Sequence, residues 1–380
     1  MPLNPDGGVT PTPDRTARLA VEKREVKCPC LACKVKRGDW NHGVRNGRLH
    51  NWDYTPRNYK FLRTDNDEFP YYLGVELEVT RRSYDEDTTI ANSLAIDLRR
   101  PKSMWYAKYD SSVSGPEFVS HPATLTYWRK QSAKLQEMFS LLIHAGFRSH
   151  NGGAAGMHIN VGRCAFEDVE HYHRFLTFLY ANRSWATTMS QRTEGQVDQW
   201  APFRPFTLFD SWMVWDRHRG SNKYTMIHTP AYGERVEFRL PRGTLRLDRF
   251  YKNLEWTTAM IAYTRNLAVT HYGMSSSAFV SWVNSYPEVY SNLLAFMEEE
   301  ETSLANSARE DESMFRLSLQ QCAYPSPTPI YGPACPNRGR LRYIYTTGTY
   351  TSPTTMSCEP YPIWGRNGIE VEGNYGGGTI

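Results

Sequence analysis

Gly74-Val75-Glu76-Leu77-Glu78-Val79 alternates apolar and acidic residues with the period of two that belongs to a β-strand. Read as a strand, it turns Val75, Leu77 and Val79 toward a core and sets Glu76 and Glu78 side by side on the opposite face. Neighbouring carboxylates repel and raise one another's pKa unless a cation sits between them, and a divalent metal is such a cation. Over six residues alone, an amphipathic strand with a solvated acidic face reads the same way. The design recurs, however, at Met157-His158-Ile159-Asn160-Val161, which puts His158 and Asn160 on one face. It recurs again at Val236-Glu237-Phe238-Arg239-Leu240, with Glu237 and Arg239. Three strands of one antiparallel sheet built this way gather Glu, Glu, His and Glu on a single surface, beside an Arg.

The chain has 380 residues, enough to bury a substantial core as one large domain with extensions or as two domains. No run of eighteen or more apolar residues occurs, and residues 1–16 are polar and Pro-rich without the apolar segment of a secretory signal. A cytoplasmic protein with no membrane partner is expected. Seven cysteines, odd in number and partly clustered as Cys28-x-Cys30-x-x-Cys33, argue against a disulfide framework. The net charge is +4, but residues 1–63 hold thirteen Lys/Arg against six Asp/Glu, a balance of +7 that leaves −3 for the rest. The basic excess therefore belongs to an N-terminal extension.

Residues 1–22 read as a flexible lead and 23–69 as a basic module. In it Cys28, Cys30 and Cys33 could bind zinc with His42 or His50, although the spacing is not that of a standard finger. A solvated basic arm with reduced thiols is the competing reading, and aromatic residues among its Lys and Arg could stack on nucleic acid. Residues 70–310 read as the catalytic domain and 311–380 as an irregular tail rich in Pro, Gly and Tyr. After the first strand, helical spacing appears at 88–99, followed by strands at 105–110 and 116–120. These carry Lys108, Asp110 and Glu117, which add an ammonium and two carboxylates to the same sheet. Residues 124–145 read as one amphipathic helix stopped by Gly146, its apolar stripe running from Leu125 and Trp128 to Leu142 and Ile143.

The small-residue stretch 151–156 leads straight into the His158 strand, and Gly156 lets backbone approach a phosphate closely. No Gly-Lys-Ser/Thr follows, which excludes a Walker-type loop. Residues 166–189 read as a helix with His171 and His173 on its surface. Residues 191–220 read as a long loop over a cleft, and 223–227 as a strand, opened by Lys223 and hairpinned through Gly233 to the Glu237 strand. Helices at 247–270, the longest, 277–284 and 287–307 complete the domain, with the acidic run 298–301 on a solvated face. The fold class expected is α+β, a curved antiparallel sheet backed by helices.

Four motifs in order, Gly74-Val75-Glu76-Leu77-Glu78, Lys108-x-Asp110 with Pro116-Glu117-Phe118-Val119-Ser120, Gly156-Met157-His158-Ile159-Asn160, and Val236-Glu237-Phe238-Arg239, resemble the amidoligase family. That family is related to the glutamate-cysteine ligase and glutamine synthetase superfamily of carboxylate-amine ligases and is often phage-encoded; the resemblance covers residues 70–275. It implies an ATP- and Mg²⁺-dependent ligase joining a carboxylate to an amine of an amino acid, peptide or protein through an acyl phosphate, with nucleic acid not the expected partner. It further implies that Glu76 and Glu78 hold different Mg²⁺ ions, that Glu117 completes one site and that His158 and Glu237 complete the other. Arg239 would meet the γ-phosphate, with Lys108 and Asp110 as further catalytic candidates. Lys223, Gly156 and Asn160 would contact nucleotide. Many relatives carry a second His where this chain has Asn160. A phosphotransferase on a related sheet, and a nucleic-acid-binding protein with a zinc-bearing arm, are the competing readings.

Overall fold

The computed structural model describes residues 60–64, 71–80, 104–110, 112–113, 115–144, 146–150, 155–204, 206–231, 234–265 and 273–323, with side chains in the last segment to residue 314. The cysteine module, the 88–99 helix, most of the 151–156 stretch, Gly233 and the tail beyond 323 lie outside them. The described chain is α+β, and it divides into two compact units. The first holds the residues up to Met157 together with Gly243–Phe250; the second holds His158–Arg242 and the residues from Tyr251 onward.

In the first unit the alternating stretch is strand β1 (Leu73–Glu78), and Trp105–Tyr109 and Pro116–Ser120 are β2 and β3. They form an antiparallel sheet in the order β2-β3-β1, with Lys108 opposite Glu117 and Glu117 opposite Glu78. Residues directly opposite in a ladder share a face, so Lys108, Glu117 and Glu78 make one row across three strands. The other face carries Val75, Leu77, Ala107 and Phe118, all fully buried. Helices α1 (Leu125–Lys130) and α2 (Ser132–His144) supply Trp128 and Phe139 to this core, where Trp128 meets Trp105 and Phe250 edge-on at 5.5 and 5.4 Å and Phe139 meets Phe250 edge-on at 5.5 Å.

The single helix expected over 124–145 is thus two, broken at Gln131, where the Ser132 hydroxyl bonds back to the Arg129 carbonyl and competes with the helical ladder. Ile143, expected inside, is 43% exposed, whereas Phe139 is buried. Gly146 ends α2 as expected. Its φ of 92° lies in the left-handed region, and Gly146 and Phe147 donate to the carbonyls of Ile143 and Leu142 in the Schellman pattern.

The second unit pairs β4 (Met157–Gly162), of which Met157 is counted with the first, and β5 (Ile227–His228) on either side of β6 (Arg235–Phe238), all antiparallel. Here the shared row is Asn160, Glu237 and His228. Of the strand expected at 223–227 only Ile227 pairs, joined by His228, because Asn222 turns the chain by accepting from the Tyr224 amide and the Thr225 hydroxyl. Behind the sheet, Phe238 packs on Trp256 of α7 (Leu247–Arg265), which also meets Trp185.

The helix expected over 166–189 is α3 (Val169–Ala181) and α4 (Arg183–Ser190), parted at buried Asn182. The Asn182 amide donates to the Phe178 and Met274 carbonyls and its oxygen accepts from the Ser276 amide, which anchors α8 (Ser276–Asn284). His171 and His173 are buried, not on the surface. The loop expected over 191–220 contains two helices, α5 (Glu194–Trp200) and α6 (Leu208–Trp215). Each opens with a capping box, Thr193 with Gln196 and Thr207 with Asp210. The helix expected over 287–307 is α9 (Ser291–Glu299) followed by α10 (Glu301–Ala323), which at 23 residues is longer than the 19-residue α7. No helix among the described residues is long and apolar enough to cross a membrane.

Candidate functional site

Polar side chains gather on one sheet face in each unit. In the first, carboxylate oxygens of Glu78, Asp110 and Glu117 lie within 4.8 Å of one another. Strand geometry positions two of them directly, since Glu78 and Glu117 are ladder partners. Asp110 sits one residue past β2, where its Oδ1 accepts the Ser112 amide at 2.6 Å and fixes the side chain against the strand end. Glu76, half-buried, lies two residues before Glu78 on the same face.

Lys108 is the cation in this row, its Nζ 2.9 Å from Glu117 Oε2. Burial acts to lower the lysine pKa, and the nearby Glu117 and Glu76 charges outweigh it and raise the value. Glu117, 2% exposed, is pushed well above the usual carboxylate range by burial and by the Glu76 charge, with Lys108 opposing. Lys108 thus offsets only part of what burial and Glu76 impose on Glu117.

Glu78 is held from behind. Its backbone amide donates to the Gly156 carbonyl, its own carbonyl accepts the Ser149 hydroxyl at 2.6 Å, and its Oε2 accepts the Gly156 amide. Gly156, expected to bring backbone to a phosphate, has that amide directed to Glu78. Gly243 packs against the same segment: a Cβ there would stand 2.2 Å from the Ser149 carbonyl oxygen, so only glycine fits.

The second unit centres on Glu237, 2% exposed. Its Oε1 accepts from Arg239 and lies 3.5 Å from His158 Nδ1; its Oε2 lies 3.6 Å from an Arg235 guanidinium nitrogen. Arg235 also donates to the side-chain oxygen of Asn160. His228, beside Glu237 on β5, has its pKa lowered chiefly by burial and then by the two guanidinium groups, with Glu237 opposing. Arg235 and His228 were not among the sequence candidates. Carrying the period of two one step back from Glu237 reaches Arg235; nothing in a two-residue strand marks His228. Lys223 is exposed, its ammonium 4.8 Å from the ring centroid of Tyr224.

Chemically, the first cluster offers a hard cation three closely spaced oxygen donors, the donor type Mg²⁺ prefers. The second offers a His and a Glu oxygen 3.5 Å apart with guanidinium groups on either side, which suits a metal or an anionic oxygen. No family model and no curated protein matches the chain.

Proposed function

We propose that the protein is an ATP- and Mg²⁺-dependent ligase that joins a carboxylate to an amine, built on a sheet of the glutamine synthetase type. The observation that carries this reading is the convergence of the Glu78, Asp110 and Glu117 carboxylates within 4.8 Å of one another, with the Lys108 ammonium 2.9 Å from Glu117. Such an arrangement is unfavourable for folding by itself and becomes favourable when a divalent ion replaces the repulsion with coordination. Glu78, Asp110 and Glu117, with Glu76 beside them, would hold one Mg²⁺, and His158 with Glu237 a second. When bound, the ions offset negative charge on the phosphates of ATP.

The residues then have separate tasks. Substrate carboxylate oxygen attacks the γ-phosphorus, the bond to the ADP oxygen breaks and an acyl phosphate forms. Arg239, oriented by Glu237, and Arg235, oriented by Asn160, donate to the phosphoryl oxygens as charge accumulates there. The amine nitrogen next attacks the acyl carbon, inorganic phosphate leaves and the nitrogen loses a proton. Lys108, paired with Glu117, would steady that carboxylate or hold the substrate's.

The test is hydroxylamine trapping. With ATP, Mg²⁺ and a panel of amino acids and peptides, hydroxylamine should intercept the acyl phosphate as a hydroxamate in step with ADP release. Arg239→Gln and Glu117→Gln should each lower that rate about a hundredfold or more, by analogy with other groups that stabilise transition-state charge. A phosphorylated acceptor that hydroxylamine does not intercept would make the protein a phosphotransferase, and wild-type rates in both variants would remove the proposed roles.

A further inference from the structure

The segment around α6 exposes aromatic rings and cations together, and the ligase reading makes no use of it. Phe209 is 64% exposed and stacks on Trp212 with centroids 5.8 Å apart and planes 30° apart. Trp212 continues to His218 at 4.9 Å and 43°. Three planar groups therefore follow one another along the outer side of α6 and the turn after it, and the first is open to solvent. A second exposed ring, Tyr224 at 52%, carries the Lys223 ammonium over its face.

The charges are arranged unequally. Residues 203–224 contain Arg204, Arg217, Arg219 and Lys223 against Asp210 and Asp216, four against two, a balance of +2 with His218 in addition. All four cations are exposed, whereas both acids are half-buried. Asp210 is occupied in the fold: one oxygen caps α6 through the Thr207 amide and hydroxyl at 2.7 Å, and the other takes Arg219. Glu234 likewise pairs with Arg217. These pairs fix the guanidinium groups of two exposed arginines, and each guanidinium has five N–H donors.

We propose that this surface binds single-stranded nucleic acid, bases stacking on the Phe209–Trp212–His218 ladder and phosphates meeting Arg204, Arg217, Arg219 and Lys223. Each base offers a planar face of the size of these rings, and the repeating phosphate matches cations spaced along the same segment. An acidic peptide would satisfy the charges but would leave the stacked rings without planar partners.

The experiment is fluorescence anisotropy of a labelled oligo-dT 20-mer with the full-length chain at several salt concentrations. Wild type should bind. Phe209→Ala, which removes an exposed ring and leaves the core intact, should weaken binding about tenfold. Arg219→Gln should reduce the slope of log affinity against log salt by about 1. Hydroxamate formation should be unchanged in Phe209→Ala, which separates this surface from the ligase site. Absence of binding would overturn the proposal. So would equal affinity for wild type and Phe209→Ala, which would assign any binding to the basic N-terminal extension. A poly-glutamate peptide that binds as tightly and with the same sensitivity to Phe209→Ala would overturn it in favour of a protein partner.

Discussion

Glu117 is a buried carboxyl that burial and the Glu76 charge push well above the usual carboxylate range. It faces Glu78 across one ladder and Lys108 across the other, with Asp110 within 4.8 Å and the Glu76 charge nearby. Mg²⁺ that binds the folded protein through these groups must raise its stability by mass action. Saturating Mg²⁺ is therefore expected to raise the melting temperature of the wild type by several degrees and that of Glu117→Gln hardly at all. Equal shifts in the two proteins would place the ion elsewhere. Gly243 acts on the same cluster without carrying a charge. Gly243→Ala would drive a methyl group into the Ser149 carbonyl and displace the segment that donates to Glu78. The variant should lose about 1–3 kcal/mol of stability in urea titrations and lose the Mg²⁺ response with it.

At the level of elements, single polar side chains reach from one helix to the end of another. Asp311 on α10 accepts from the backbone amides of Ser184 and Trp185, both at 2.9 Å, and so caps α4 from outside. Asp311→Ala leaves two amide donors in the first turn of α4 without that carboxylate and should cost about 2 kcal/mol, with Asp311→Asn milder; urea midpoints of both check this. Arg163 does the opposite at the end of α6, where its guanidinium donates to the Val214 and Trp215 carbonyls and covers the Trp215 ring at 5.0 Å.

Such long-range caps explain what the sequence conceals. The strands were legible because their alternation is local: β1, β3 and β4 begin and end within a residue or so of their expected bounds, and the faces of Val75, Leu77, Glu76 and Glu78 follow. The helix breaks were not, since Asn182 looks like any helical residue until Met274 and Ser276 arrive from ninety residues away. The helices within 191–220 did announce themselves, through Thr193-x-x-Gln196 and Thr207-x-x-Asp210, but aromatic and Arg content masks their period.

Across the whole molecule, acid is expected to destabilise the fold through buried histidines, two of which, His171 and His173, were expected on the surface. His171 accepts the Glu167 amide on Nδ1 and donates from Nε2 to the Ile261 carbonyl, which fixes it neutral. Burial lowers its pKa to about 4, and does the same for His173 and, with help from Lys60, for His121. These groups bind protons more readily unfolded than folded. Their cost is absent above pH 6.5, grows as pH falls toward 4 and is then complete. Each contributes about 2 kcal/mol of lost stability at pH 5. Glu117 works in the other direction, since a raised carboxyl pKa favours the folded state as pH falls, but it stands against these three histidines and His228, whose pKa is lowered too. Urea midpoints should therefore drop between pH 7 and pH 5; a flat or rising profile would contradict the burial of these rings.

Under the proposed function, carboxylates from β1, β3 and the end of β2 serve as metal ligands rather than as an ordinary ion-pair network. Anomalous diffraction from crystals grown with Mn²⁺ and a non-hydrolysable ATP analogue tests that most directly. The prediction is a metal peak within coordination distance of Glu78, Asp110 and Glu117. A map with the metal bound elsewhere, or with Lys108 still paired with Glu117 and no metal beside those carboxylates, would contradict it.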